Sequence, residues 1–319
     1  MRAPPTGADI GATSLSRWIY ALKPASWPKL IVPAFFGQVL GLRGGQGLHL
    51  PALGWGLAFT FLGLGFIVLI NDWGDRHVDA LKREMFPGAC SPKTIPDRIL
   101  DAASVGLAGA FCAGATLLVA AGAEVALHRP DAFEAGLLCM LIFVMYSLPP
   151  VRLNYRGGGE VLEMLGVGLA LPLYNAYLQG GPIASSAWPW LAGFAVLSLA
   201  GGIASGLSDE QSDRTGGKRT VATAWGNASA RRWCEASVLI GAGIWVTASI
   251  LWPDWVPLWV VGPAAAIILW NFIAMRKLSD TAVTNAFRAQ SAYKRFLHRA
   301  IWHSTTVVAV LLWLRPSLA

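Results

Sequence analysis

The sequence predicts an all-α fold: a polytopic membrane bundle of nine transmembrane helices with a cytoplasmic N-terminus. Three observations lead there. Of 319 residues, 55% are hydrophobic and only 13% charged, at a mean hydropathy of +0.50, whereas a soluble domain carries about 25% charged residues. Apolar runs approaching membrane-spanning length recur along the whole chain. When those runs are taken as alternating crossings, the basic residues fall almost entirely on one side.

In chain order, residues 1–26 read as an N-terminal cytoplasmic or interfacial segment. "MRAPPTGADIGATSLSRW" has no early apolar core followed by a small-residue cleavage site, so no signal peptide is expected. Residues 27–319 read as a single domain. Its spans are expected near 27–43, 51–71, 99–121, 133–149, 160–178, 188–207, 235–252, 255–275 and 300–315. Pro33, Pro172, Gly63, Gly65, Gly201 and Gly202 fall inside spans, where a bundle tolerates them and small residues let helices approach. With the N-terminus inside, 22 of the 25 Lys and Arg lie on the cytoplasmic side and only Arg43, Arg129 and Arg315 outside. That split accounts for the net charge of +7 without a nucleic-acid partner, for which there is no motif. The orientation gives long cytoplasmic loops near 72–98, 208–234 and 276–299 and an expected site facing the cytoplasm; the expected location is the inner (cytoplasmic) membrane.

Trp18, Trp27, Trp188, Trp190, Trp252, Trp255, Trp259 and Trp302 are expected as interfacial anchors. Cys90, Cys112, Cys139 and Cys234 are scattered and read as small hydrophobes, with neither a disulfide framework nor a zinc site. No two of the five histidines have metal-ligand spacing, and His77 lies off the acidic face described next. Asn175 and Gln179 on the fifth span either line a polar pocket or bond between helices.

Two acidic clusters carry the chemistry. "NDWGDRHVDA" (71–80) follows the second span and sets Asp72, Asp75 and Asp79 on one helical face. "SGLSDEQSDRTGGKRTVATAWG" (205–226) follows the sixth span and sets Asp209 and Asp213 one turn apart. Both spans run towards the cytoplasm, so both clusters emerge on the same side. Carboxylates at the edge of lipid require counter-charge. Hard oxygen ligands suit Mg²⁺, which usually binds through one or two carboxylates together with substrate phosphates. Arg76, Lys82 and Arg83 follow the first cluster, and Arg214, Lys218 and Arg219 the second; cations among such carboxylates make sense if the ligand carries phosphate oxygens. Gly216 and Gly217 permit close backbone approach. A diphosphate between the clusters and an apolar tail in the bundle describe a prenyl diphosphate.

These motifs resemble those of the UbiA superfamily of intramembrane prenyltransferases: N-D-x-x-D-x-x-x-D at Asn71, Asp72, Asp75 and Asp79, and D-x-x-x-D with Gly, Lys/Arg and Thr at Asp209, Asp213, Gly217, Lys218, Arg219 and Thr220. The superfamily fold has nine transmembrane helices. "LKPASWPKLIVPAFFGQVLG" (22–41), "YSLPPVRLNYRGGGEVLEMLGVG" (146–168) and "DEQSDRTGGKRTVATAWG" (209–226) are similar to 1,4-dihydroxy-2-naphthoate polyprenyltransferases of menaquinone synthesis, whereas "NDWGDRHVDAL" looks more like chlorophyll synthase.

The resemblance implies Mg²⁺-assisted ionisation of a polyprenyl diphosphate and attack by an aromatic small-molecule acceptor. The alternatives are a chlorophyllide-like, phosphosugar or glycerol-phosphate acceptor and, from another class, a cation transporter. Its implied metal ligands are Asp72, Asp75, Asp79, Asp209 and Asp213, with Asp72, Asp75, Asp209 and Asp213 catalytic. Asn71, Asp79, Lys82, Arg83, Tyr146, Arg156, Arg214, Lys218 and Arg219 are the expected substrate-binding residues. A basic pair gripping diphosphate is expected in 82–96, with Lys82, Arg83 and Lys93 as candidates.

Overall fold

A computed structural model describes residues 13–42 and 47–314. Arg2, Arg43 and Arg315, used in the charge reading, lie outside the described residues, as do residues 1–12 of the expected N-terminal segment. Within them there is helix and no strand. The chain runs α1 (Ser14–Ala21), α2 (Pro28–Leu42), α3 (Leu50–Met85), α4 (Ala102–Leu127), α5 (Ala132–Ser147), α6 (Leu153–Arg156) and α7 (Gly159–Leu165). A π-helical turn, Gly166–Ala170, leads into α8 (Leu171–Gly180). There follow α9 (Trp188–Ser205), α10 (Glu210–Thr215), α11 (Val221–Trp225), α12 (Asn227–Leu251), α13 (Leu258–Ser279) and α14 (Phe287–Leu314).

All nine segments expected as spans fall on helix among the described residues. Six helical stretches are long and apolar enough to cross a membrane: Leu50–Met85, Ala102–Leu127, Gly159–Gly180, Ser185–Ser208, Asn227–Leu251 and Leu258–Ser279. Pro28–Leu42 and Ala132–Ser147 are apolar but shorter. On α4, Leu107, Phe111, Leu118 and Val125 are exposed, an apolar face of the kind that meets lipid.

Local chemistry explains the boundaries. Thr13 caps α1 by accepting from the Ser16 N–H, and Asp101 caps α4 by accepting from that of Ser104. α2 and α8 pack in backbone contact because glycine allows it. A methyl on Gly37 would sit 2.2 Å from the Pro172 carbonyl oxygen. The core is aromatic as well as aliphatic: Phe36 meets Phe194 edge-on at 5.3 Å, and Phe59 lies against Tyr174 at 4.1 Å.

Two expectations are corrected. The second span does not give way to a loop at residue 72. α3 continues as one 36-residue helix to Met85; at 1.5 Å per residue it is about 54 Å long, well beyond a hydrocarbon core of about 30 Å. Trp190 and Trp302 are buried rather than interfacial. Trp190 donates to the Trp255 carbonyl, and Trp245 donates to the Trp190 carbonyl, so these rings fasten the α9–α12 contact from inside. Asn175 and Gln38 bond to each other between α8 and α2 at 2.9 Å, the interhelical alternative. The four cysteines are free, and Cys139 and Cys234 are buried.

Candidate active site

The acidic motifs meet. α3 presents Asp72, Asp75 and Asp79 from one continuous helix, while Asp209 stands at the N-cap of α10 and Asp213 within its single turn and a half. α10 reaches α3 at Val78, where a methyl on Gly216 would sit 2.5 Å from Val78 Cγ2. Gly217 takes a positive φ of 78°, a turn open to glycine at no steric cost, and Lys218 folds back towards the acids through its N–H bond to the Asp213 carbonyl at 2.8 Å.

Each motif is neutralised partly by the other. Lys82, on the helix of the first, pairs with Asp209 of the second. Lys218, from the second, lies 2.6 Å from Asp75 of the first and 3.8 Å from Asp213. Tyr155 donates to the remaining oxygen of Asp75 at 3.0 Å. Asp72 pairs with Lys23 and accepts from Thr94 Oγ1 at 2.6 Å, and Asp79 pairs with Lys93 at 2.5 Å. Four lysines from four separate segments thus hold four carboxylates. Such pairs survive burial only when hydrogen bonds also satisfy the remaining oxygens.

The charge balance is uneven. Burial opposes ionisation of Asp209, but Lys82, Lys93 and Lys294 outweigh it and bring its carboxyl down to about 2. Asp213 is pushed up to about 7, first by burial; Lys218 relieves this in part, and the neighbouring Asp209 and Asp75 add to it. Burial works against the Lys93 and Lys218 ammonium groups, yet the surrounding carboxylates hold both above the ordinary lysine value. Asp213 is therefore the acid of the site that most readily holds a proton, and a cation placed beside it would favour its ionised form. Among the described residues, no three acidic, His or Cys side chains already converge tightly enough to ligate a metal. The donor set is nevertheless all oxygen, which fits a hard divalent cation.

Two chambers share this region. A polar one of ≈ 130 Å³ is lined by Asn71, Asp75, Asp209, Asp213 and Lys218, among others. An apolar one of ≈ 250 Å³ is walled by Leu30, Leu64, Ile67, Val68, Phe143 and Val167. Asn71, Tyr146, Glu163 and Ser205 line both, so the two spaces adjoin at these side chains. Val167 belongs to the π-helical turn, a distortion common at functional sites.

The structure thus brings together Asn71, Asp72, Asp75, Asp209, Asp213, Lys82, Tyr146 and Lys218. Asp79 and Lys93 pair at its edge. Other expected substrate contacts lie elsewhere. Arg83 pairs with Asp97 and donates to the Pro87, Cys90 and Ser91 carbonyls; it shapes the 86–97 loop. Arg214 is an exposed partner of Glu210, one turn away on α10. Arg156 and Arg219 line a separate space described below. Sequence reasoning missed Lys23, Thr94 and the Lys29–Glu163 pair at 2.6 Å. Only the return of "SPKT" across Asp72 and Asp79 reveals why the 82–96 stretch is basic.

The described residues thus form an all-helical bundle with paired Asp and Lys where a polar chamber adjoins an apolar one. Residues 30–303 match the UbiA prenyltransferase family, and the chain belongs to it. It is 24% identical over 229 residues to the chloroplastic chlorophyll synthase of Avena sativa, an alignment covering 68% of this chain and 56% of that protein. The chain therefore matches a little over half the length of that relative. Its fold is shared with a UbiA homologue from Archaeoglobus fulgidus solved with DMAPP and Mg²⁺ and again with GPP and Mg²⁺. Each has a TM-score of 0.66 at 17% identity, covering 89% of this chain and 99% of the other.

Proposed function

We propose that this chain is a Mg²⁺-dependent prenyltransferase that moves the prenyl group of a polyprenyl diphosphate onto an aromatic acceptor, in isoprenoid quinone synthesis of the menaquinone type. The supporting observation is the junction of the polar and apolar chambers at Asn71, Tyr146, Glu163 and Ser205. A diphosphate fits the first chamber and its chain the second, with the bond between them at the junction.

Asp72, Asp75, Asp209 and Asp213 would hold Mg²⁺, which when bound supplies charge neutralisation to the leaving diphosphate. Lys82 and Lys218 exchange a carboxylate for a phosphate oxygen, and Lys23 and Lys93 stand next in reach of the head group. Tyr155 orients Asp75. The carbon–oxygen bond breaks, its electron pair leaves with diphosphate, and the allylic carbon takes electrons from the acceptor ring, which then loses a proton. Leu64, Ile67, Val68 and Phe143 exclude water that would quench the cation.

The same reading makes residues 27–319 one domain of nine crossings in the inner membrane, N-terminus and site cytoplasmic. α2 and α5, at 15 and 16 residues, then cross by local thinning or with their flanking residues. A chlorophyllide-like acceptor is the second reading, favoured by the chlorophyll synthase relative and by "NDWGDRHVDAL".

The test is product formation in lipid-reconstituted protein given geranylgeranyl or longer prenyl diphosphates with 1,4-dihydroxy-2-naphthoate or chlorophyllide. Mg²⁺-dependent naphthoate prenylation supports the first reading, and chlorophyllide prenylation the second. Folded protein that turns over no donor with any acceptor refutes both.

A further inference from the structure

A third space of ≈ 450 Å³ adjoins the polar chamber and shares no lining residue with the apolar one. It shares Glu160 and Thr220 with the polar chamber, and those side chains form a partition. Glu160 is engaged there, accepting from the Val221 N–H at 2.7 Å. Its walls come from α7, α9, α11 and α12 and are mainly apolar: Val161, Leu199, Ile203, Trp225 and Trp233. Val161, Trp225 and Trp233 are exposed, and the two indole rings lie 6.0 Å apart. The groove is thus open along its length beside α9 and α12, two helices long and apolar enough to cross a membrane.

Its polar end is cationic. Arg156 and Arg219 both line it and both are exposed. The Arg219 N–H donates to the carbonyl of Tyr155, the residue before Arg156, at 3.2 Å, which ties the two arginine-bearing segments together. Neither guanidinium has a carboxylate within ion-pair distance among the described residues. That sets them apart from the site lysines, each of which already holds an acid. Two uncommitted guanidinium groups above an aliphatic and indole groove, at the end of membrane-length helices, complement a phosphodiester head with an acyl chain below it.

We infer that this groove is a binding site for an anionic phospholipid, separate from the prenyl diphosphate chambers, with Arg156 and Arg219 on the phosphate and the acyl chain along Val161, Leu199 and Trp233. The inference does not depend on which acceptor the enzyme uses.

The probe is phosphatidylglycerol, with phosphatidylcholine as the neutral control, scored by native mass spectrometry of the delipidated full chain. Wild type should retain phosphatidylglycerol over phosphatidylcholine, and inorganic phosphate should not displace it. Arg156→Gln/Arg219→Gln should weaken that retention on the order of tenfold. Val161→Trp, which fills the groove and keeps both arginines, should weaken it too. Unchanged preference in the folded arginine double variant overturns the proposal. So does competition by free phosphate, or by an aromatic carboxylate such as 1,4-dihydroxy-2-naphthoate, which would assign the groove to that ligand instead.

Discussion

The two acidic motifs do the same kind of work from opposite kinds of scaffold. Asp72, Asp75 and Asp79 stand on an unbroken 36-residue helix; Asp209 and Asp213 stand on a six-residue helix between a 3₁₀ turn and a glycine turn. Every acid of the first motif has a lysine within 2.6 Å. In the second, Asp209 is fully paired, whereas the nearest ammonium to Asp213 is 3.8 Å away. The first motif is paired throughout, and the second leaves one acid, Asp213, without a close cation. Position is fixed by one and affinity for added positive charge by the other.

The sharpest way to break this contrast is to remove one acid from each side. Asp75→Ala and Asp209→Ala should each lower turnover by about 100-fold or more, the size of effect seen when a preorganised charge at the reacting centre is lost; prenyl-transfer assays on folded variants check this. If only one loses activity, the motifs are not partners. Lys218→Met comes next, because it touches both. Donor affinity should fall between about 10- and 100-fold, in line with a charged hydrogen bond lost from a buried setting, read as KM for the prenyl diphosphate. Tyr155→Phe removes one neutral donor from Asp75 and should reduce activity by about three- to tenfold; it tests whether the first motif is held from outside its own helix. Arg214→Ala should leave activity within about twofold, since its pair with Glu210 is an exposed contact one turn along α10. A large loss there would return Arg214 to the substrate.

The contrast also explains what was legible in the sequence. The helices were readable because lipid imposes one composition on every crossing, and the Asp residues because their spacing survives without knowing what they touch. The partners were not. Lys23 precedes its acid by 49 residues and Lys218 follows Asp75 by 143, so no local pattern connects them. Arg83 and Arg214 also sit beside the motifs in sequence, but which carboxylate each takes, Asp97 and Glu210, is decided by the 86–97 loop and by the short turn of α10. Trp190 and Trp302 misled because belonging near a helix end was taken for facing the interface, when inward packing from that position was open to them.

The crossed lysines bear on how this protein is made. A chain entering the membrane from its N-terminus delivers Asp75 long before Lys218 exists. At about 5–20 residues per second, the interval is roughly 7–30 s. During it Asp75, unlike Asp72 and Asp79 with their early lysines, must stay at the water boundary or borrow another cation, and a fragment ending before α10 never completes the exchange. Asp75 and Asp209 therefore each wait for a counter-ion carried by the other half of the molecule.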